Sequence, residues 1–234
     1  MKTLGVLGGM SWESTAIYYR LINQGVAQRL GGLHSARLLL HSVDFADMAA
    51  LQAGGDWAGA GRLLARAAAG LKAAGAQGLV IATNTMHKAA GVIEAESGLP
   101  LLHIADATGA ALRAAGVQRA ALLGTRYTME DPSIVQQRLE QDHGLRISVP
   151  GDEDRALLHR VIYEELCRGV ISQTSRAAVV ALIERQRAAG AQAVILGCTE
   201  ITLLIDAACS PLPVFDTTAL HAAAAVDWML GGAA

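Results

Sequence analysis

The chain has 234 residues, and its 19 Lys and Arg against 21 Asp and Glu do not favour nucleic acid or an anionic membrane surface as a partner. The histidines show no ligand spacing, and Cys167, Cys198 and Cys209 form no CxxC pair, so the sequence predicts neither a metal site nor a disulfide framework. The apolar run at the N-terminus is too short for a signal segment or a membrane span, and a reducing cytoplasm is the expected location.

Strands and helices alternate along the first half of the chain. Apolar runs without polar alternation predict parallel strands buried on both faces, and Ser11 and Asp44 stand where they can cap helices. The predicted elements are, in order, a strand over 3–7, a helix from Ser11 to about 30, a strand over 37–43, a short helix through 52, a helix over 57–74, a strand over 77–82, a helix over 86–97 and a strand over 101–104.

The same pattern starts again in the second half. Its predicted elements are a strand over 119–123, a helix over 127–141 around Pro132, a strand over 145–149, helices over 152–168 and 174–189, a strand over 192–197 and a final helix to 230. The segment 211–218 loosely repeats 100–108. Two similar α/β halves are the simplest interpretation, and right-handed crossovers would give each half a small parallel sheet covered by helices.

A near repeat links the two halves at a constant offset of 115 residues. The segment KAAGAQGLVIATNT from Lys72 corresponds to RAAGAQAVILGCTE from Arg187, so that Thr83 stands opposite Cys198. In each copy a glycine, Gly75 or Gly190, is expected to end a helix in the left-handed conformation. A buried strand and a small polar triplet follow, and open α/β sheets bind ligands at the carboxyl ends of their strands. The repeat therefore predicts two equivalent strand ends with a cleft between them.

Cys198 is the side chain in either triplet that can act as a strong base or nucleophile near neutral pH. At a strand end followed by a helix N-terminus its pKa is expected to fall, which favours the thiolate. Backbone N–H groups and the hydroxyls of Thr85 and Thr199 would suit a carboxylate, and Asn84 adds an amide donor. The competing interpretation is a small, buried, inert cysteine, and the duplicated polar triplets weigh against it.

Two neighbouring features are open to more than one interpretation. Gly8-Gly9-Met10 matches neither the GxxxxGKS/T nor the GxGxxG pattern, so a nucleotide site is only weakly indicated. These glycines are expected to let a ligand approach the backbone. His87 and Lys88 follow the first triplet in the opening turn of a helix, where a place near the ligand and a solvated or capping role both fit.

Four segments resemble those of the aspartate/glutamate racemase family, whose members racemise amino acids without a cofactor. They are Leu7-Gly-Gly-Met-Ser11, Thr83-Asn-Thr-Met-His87, Leu123-Gly-Thr125 and Gly197-Cys-Thr-Glu200. The resemblance implies two similar parallel-sheet α/β domains related by a pseudo-twofold axis, with the active site in the cleft between them. Residues 1–105 with 214–234 would form the first domain and 106–213 the second. It further implies a small-molecule amino-acid substrate, no cofactor and a homodimer.

The resemblance also assigns roles to individual residues. Family members normally supply two cysteines, one to remove the α-proton and one to return a proton to the opposite face. Here the second is Cys198, while Thr83 replaces the first, so the two directions are expected to differ in rate. The implied catalytic residues are Thr83 and Cys198, and the implied substrate-binding residues are Met10, Gln52, Asn84, Thr85, Thr199 and Glu200.

The side-chain pocket departs from that of two-cysteine, aspartate-specific relatives. Such relatives place an Arg near the position of Met48 and a Lys near that of Cys167, and neither residue is basic here. Arg168 and Lys88 are the candidate substitutes, while Gln52 could bind a polar side chain. Homoserine, or a broad set of polar amino acids, is therefore a candidate substrate beside aspartate and glutamate.

Two other functions fit the same scaffold. One is a different proton-transfer enzyme, resembling arylmalonate decarboxylase or hydantoin racemase, because decarboxylation needs a single cysteine donor. The other is a protein that binds an amino acid without turning it over, having lost its first cysteine. Asn84 and Thr85 beside Thr83 favour an α-amino-acid ligand over the first of these alternatives.

Overall fold

The computed structural model describes residues 1–232, which fall into two compact units. The first unit consists of Met1–His103 and the segment from His221 onward, and the second consists of Ile104–Leu220. Among the described residues, no helix has the length and apolar character needed to cross a membrane.

The first unit is a parallel sheet flanked by helices. Its elements are β1 (Leu4–Gly8), α1 (Trp12–Leu30), β2 (Leu38–Ser42), α2 (Phe45–Ala53), α3 (Trp57–Ala73), β3 (Gly78–Ile81), a 3-10 turn (Thr85–Ala89) and α4 (Ala90–Ser97). The strand order is β2-β1-β3, and both pairings are parallel. Ser11 and Asp44 cap α1 and α2 through their side chains, which confirms both predicted caps.

Side chains from the sheet of the first unit alternate between two hydrophobic clusters. Leu7, Leu79 and Ile81 belong to a cluster with α3, whereas Val6 and Val80 belong to a cluster with α1. Successive side chains of a strand point to opposite faces, so β1 and β3 are buried on both sides. The continuous apolar runs in the sequence predicted this arrangement, and the structure confirms it.

The second unit repeats this architecture. Its elements are α5 (Ile104–Ala114), β4 (Arg119–Gly124), α6 (Arg126–Glu130), α7 (Gln136–His143), β5 (Arg146–Ser148), α8 (Asp152–Arg160), a π-helical turn (Val161–Glu165), a 3-10 turn (Leu166–Arg168), α9 (Gln173–Ala188), β6 (Ala193–Gly197), a second 3-10 turn (Thr199–Leu203), β7 (Val214–Asp216) and α10 (Thr217–Leu230), whose residues from His221 belong to the first unit. The strand order is β5-β4-β6-β7, with all pairings parallel.

The internal repeat is visible in matched hydrogen bonds. The side-chain oxygen of Gln77 accepts from the backbone N–H of Thr3 at 2.9 Å, and that of Gln192 accepts from Gln118 at 2.8 Å. Each glutamine thereby joins the start of its own strand to the start of the central strand. Gly75 and Gly190 both have positive φ, 103° and 96°, as predicted for glycines that end helices.

Several predicted elements differ from the structure, among them the helix over 152–168, which is α-helical only to Arg160 and continues as a π-helical and a 3-10 turn. The strand over 101–104 is wrong, because Leu101 makes only an isolated parallel bridge to Leu79 and α5 begins at Ile104. The buried residues Ile104, Thr108 and Leu112 recur at helical spacing, and this period overrides a short apolar run. The helix over 127–141 is divided at Pro132 into α6 and α7.

The second predicted domain boundary, between 213 and 214, lies on the wrong side of β7. The resemblance places residues 214–216 in the first domain, yet Val214 pairs with Val194 of β6 in the second sheet. The chain enters the first unit at His221, within α10. An edge strand of three residues carries too little pattern for the sequence to reveal which sheet it joins.

The loop after β1 is closed by backbone contacts. Gly9 has φ of 90°, and its N–H donates to Oγ1 of Thr15 at 2.8 Å. A Cβ added to Gly9 would lie 2.2 Å from the carbonyl oxygen of Val43. The chain's own backbone therefore fills the side of Gly9 where a Cβ would stand, and the approach of a ligand to the backbone of these glycines stays a prediction.

Replacing Gly9 with alanine is expected to destabilise the fold by about 2 to 4 kcal/mol, through the left-handed conformation together with the clash on Val43. Urea unfolding followed by circular dichroism measures this change. Gly31→Ala is the matched control, because Gly31 has a φ of 73° with no atom within 4 Å of an added Cβ. Equal losses in the two variants would contradict the close-approach explanation.

Candidate active site

The carboxyl end of β3 is anchored from two sides. The N–H of Ala82 donates to the carbonyl of Leu7 at 2.9 Å, and Oγ of Ser14 donates to the carbonyl of Ala82 at 2.9 Å. Thr83 follows directly and is partly exposed, whereas Asn84 and Thr85 are buried. The first predicted triplet thus lies at the carboxyl end of β3, in a backbone held by β1 and α1.

Two further predicted residues adjoin the turn that carries Thr85. Nε2 of Gln52 donates to Sδ of Met86 at 3.3 Å. Met10 and Met86 are both buried in the hydrophobic cluster that also contains Leu7. The structure therefore associates Met10 and Gln52 with the segment after β3, although they come from the β1 loop and from α2.

In the second unit, a carboxylate oxygen of Glu200 accepts hydrogen bonds from the other two residues of the second triplet. Sγ of Cys198 donates to Oε2 of Glu200 at 3.0 Å, and Oγ1 of Thr199 donates to the same oxygen at 2.7 Å. Cys198 and Thr199 are each 8% exposed, and Cys198 packs in a cluster with Leu196 and Ile201. All three residues predicted in this triplet are brought into direct contact with one another.

The expected fall in the pKa of Cys198 is wrong. Burial of the thiol raises its pKa well above the ordinary value, and the negative charge and hydrogen bond of Glu200 raise it further. Cys198 precedes a 3-10 turn of five residues, Thr199–Leu203, and not the N-terminus of an α-helix. Cys198 is thus a protonated thiol at neutral pH, with a hydrogen-bond acceptor already in place.

Tyr163 and Cys167 lie in the electrostatic neighbourhood of this thiol. The sequence had pointed to position 167 only as that of a Lys in relatives, and it had not pointed to Tyr163. The pKa of Tyr163 is raised to about 12, mainly by burial, with contributions from Tyr127, Cys198, Cys167 and Glu200. Partial shielding from water and the charge of Glu200 raise the pKa of Cys167 to about 11. The spacing of four residues would have placed the two on one face of a helix, but nothing in it pointed to Cys198.

A family model for Asp/Glu/hydantoin racemases matches residues 7–225, which is nearly the whole chain. The chain belongs to this family. The motifs quoted from the sequence had indicated the same relationship.

Solved structures of similar proteins agree with this assignment. A Yersinia pestis protein described as a candidate Asp/Glu racemase is 56% identical, with a TM-score of 0.93 over 98% of this chain and 100% of that one. An aspartate racemase homologue from Pyrococcus horikoshii OT3 is 31% identical, with a TM-score of 0.84 and the same coverage. Glutamate racemase from Francisella tularensis, at 13% identity, shares the fold with a TM-score of 0.63 over 98% of this chain and 81% of that one. These likenesses confirm the predicted α/β class with parallel sheets.

The residues considered in the sequence for binding a second carboxylate have different surroundings in the structure. Met48 is fully buried in the core of the first unit and offers no charge. Nζ of Lys88 lies 4.5 Å from the ring centroid of Trp57, a cation–π contact. Arg168 is exposed at the end of its 3-10 turn. Of the two candidate substitutes, Lys88 already has a partner within its own unit.

Proposed function

We propose that this racemase-family chain interconverts L- and D-amino acids without pyridoxal phosphate, moving the α-proton between Thr83 and Cys198. The observation that carries the proposal is the hydrogen bond from Sγ of Cys198 to Oε2 of Glu200 at 3.0 Å. An amino-acid α-proton is a very weak acid, so its removal needs a strong base held close to a tightly bound substrate. Cys198 and Glu200 together supply such a base.

The proposed proton path through Cys198 has two balanced steps. The thiol proton first passes to Oε2 of Glu200, leaving a thiolate and a neutral carboxyl group. The thiolate then takes the α-proton, and the electron pair of the C–H bond stays on the substrate as a carbanion. A raised pKa makes the thiolate, once formed, a stronger base. In the reverse direction the thiol gives its proton to the carbanion, and Oε2 of Glu200 then returns its proton to the thiolate.

Thr83 is proposed to serve the other face of the substrate. A threonine hydroxyl is a far weaker acid than a thiol, so this face is the slower one. Enantiomers have equal free energies, and kcat/KM must therefore be equal in the two directions. The two directions can therefore differ only in kcat and KM taken separately, and in the rate at which deuterium enters the recovered substrate.

Substrate binding is assigned to Met10, Gln52, Asn84, Thr85, Thr199 and Glu200. The hydroxyl and amide groups among them suit the carboxylate and polar side chain of an amino acid. The identity of 56% to the Yersinia pestis protein supports aspartate or glutamate, whereas the uncharged Met48 supports a broader polar set that includes homoserine. The proposed enzyme is a cytoplasmic homodimer that needs no cofactor.

The test is α-proton exchange in D2O, followed by NMR, with both enantiomers of aspartate, glutamate and homoserine. The expected result is loss of the α-proton signal from at least one amino acid, with the opposite enantiomer accumulating. Binding without any exchange would instead support an amino-acid-binding protein. If the protein shows neither binding nor exchange, malonates and hydantoins become the next substrates to test.

Replacing Glu200 with glutamine is expected to lower the exchange rate by about ten- to a hundredfold, because the thiol loses its proton acceptor. The same change is expected to lower the pKa of Cys198, since the charge of Glu200 contributes to raising it. Alkylation of Cys198 across a pH series, resolved by peptide mass spectrometry, measures this shift. Glu184→Gln is the control, because it removes one exposed carboxylate paired with Arg187. An alkylation midpoint that stays in place in Glu200→Gln would contradict the proposed pairing.

A further inference from the structure

Three buried histidines meet next to Thr83 in the first unit. The ring centroids of His87 and His103 are 4.6 Å apart, and those of His87 and His221 are 5.6 Å apart. They come from the 3-10 turn after β3, from the residue before α5 and from α10. All three are at least nine-tenths buried. Segments distant in the sequence thus converge on one group of imidazoles.

His87 holds the backbone of the first triplet. Its Nδ1 lies 2.9 Å from the carbonyl oxygen of Thr83 and 3.3 Å from that of Asn84. A carbonyl oxygen can only accept a hydrogen bond, so Nδ1 must carry the proton and donate to both. This ring therefore fixes the two peptide groups from which the Thr83 hydroxyl and the Asn84 amide project.

His221 is itself fixed from both sides. Its Nε2 lies 2.8 Å from the carbonyl oxygen of Leu102, and its Nδ1 lies 2.8 Å from the hydroxyl of Tyr18. The neutral ring with a proton on Nε2 satisfies both contacts, donating to Leu102 and accepting from Tyr18. Tyr18 is fully buried on α1. The ring of His221, which lies beside that of His87 on α10, is thereby linked to α1 through Tyr18.

The cluster favours an uncharged ring at His87. Burial is the main cause that lowers the pKa of His87 well below its usual value, and the neighbouring His103 and His221 add to it. The titratable groups near His87 include His103 and His221, whose rings face it, and Tyr18, which bonds to His221. A neutral Nδ1–H form of His87 is therefore kept across the neutral pH range.

We propose that His87 is a positioning residue for proton transfer at Thr83. This inference rests on the proposed racemase function. A weakly acidic hydroxyl can exchange a proton with a carbanion only when it is held at close, aligned range. His87 supplies that constraint through the carbonyl oxygens of Thr83 and Asn84, without touching the substrate.

Two variants test the role of the Nδ1–H group. His87→Phe keeps an aromatic ring but removes the donor, whereas His87→Asn keeps an N–H donor at the δ position. His87→Phe is expected to lower kcat for inversion about ten- to a hundredfold, and His87→Asn is expected to recover most of the loss. Exchange into recovered substrate at the face served by Cys198 is expected to stay within about twofold of wild type. The Cys198→Ala variant identifies that face, because it abolishes the exchange that takes place there.

The outcomes separate positioning from a general structural role. If exchange at both faces falls equally, or if His87→Asn is no better than His87→Phe, the proposal is overturned. A 15N NMR spectrum of the wild-type rings from pH 5.5 to 8 needs no variant and no activity. It is expected to show His87 as neutral Nδ1–H throughout, and an Nε2–H form or titration near pH 6.5 would overturn the proposal. Absence of exchange in the wild type would overturn the racemase function, while this spectrum still tests the placement of His87.

Discussion

Replacing Cys198 with alanine is expected to reduce α-proton exchange by about 10²- to 10⁴-fold, the usual contribution of a positioned acid or base. The variant removes the only group in the second triplet that can become a strong base. Thr199 remains to donate to Oε2 of Glu200, so the carboxylate keeps a partner. The measurement is the NMR exchange rate of each enantiomer in D2O, beside the melting temperature of each protein.

The controls for this experiment separate chemistry from folding. Cys209→Ala removes a half-buried thiol that lies in the loop near Asp206, and its exchange rates are expected to match those of the wild type. Cys198→Ser is expected to fall between wild type and Cys198→Ala, because a hydroxyl can still donate to Glu200 but is a much weaker acid. Exchange that survives in folded Cys198→Ala at the wild-type rate would remove Cys198 from the mechanism.

The internal repeat made much of the fold predictable. A constant offset of 115 residues placed Gly75 against Gly190 and Thr83 against Cys198, and the two sheets repeat the same parallel order. The repeat works because each copy contains its own helix stop, buried strand and polar triplet, which are short-range signals. The strand predicted over 101–104 is wrong for the opposite reason. Four mainly apolar residues fit either a strand or the start of α5, and the tertiary fold decides between them.

The electrostatics of the candidate site were less accessible from the sequence. The pKa of Cys198 depends on the direction of the Glu200 side chain, which lies two residues away and turns back to the thiol. No residue pattern specifies that rotamer. The histidine cluster was hidden for a related reason, because His87, His103 and His221 are separated by 16 and 118 residues along the chain. Only the folded unit shows that they share one buried space.

Substituting cysteine for Thr83 is expected to raise kcat in the slower direction by about ten- to a hundredfold, because a thiol transfers protons near neutral pH far more readily than a hydroxyl. The measurement is the initial rate of inversion from each pure enantiomer at saturating concentration. Ser97→Cys is the control, since it places a thiol at a buried position of the same unit outside the proposed site and is expected to leave the slower kcat unraised.

Because the two enantiomers have equal free energies, the kinetic constants measured in the two directions provide a check on each other. Any gain in kcat/KM for Thr83→Cys must appear equally in both directions, so a larger gain in kcat for one direction must be matched by a rise in its KM relative to the KM of the other direction. If Thr83 limits the reaction, the ratio of the two kcat values moves towards one, because both faces then carry a thiol. Unchanged rates in both directions would show that the hydroxyl of Thr83 is not the limiting group.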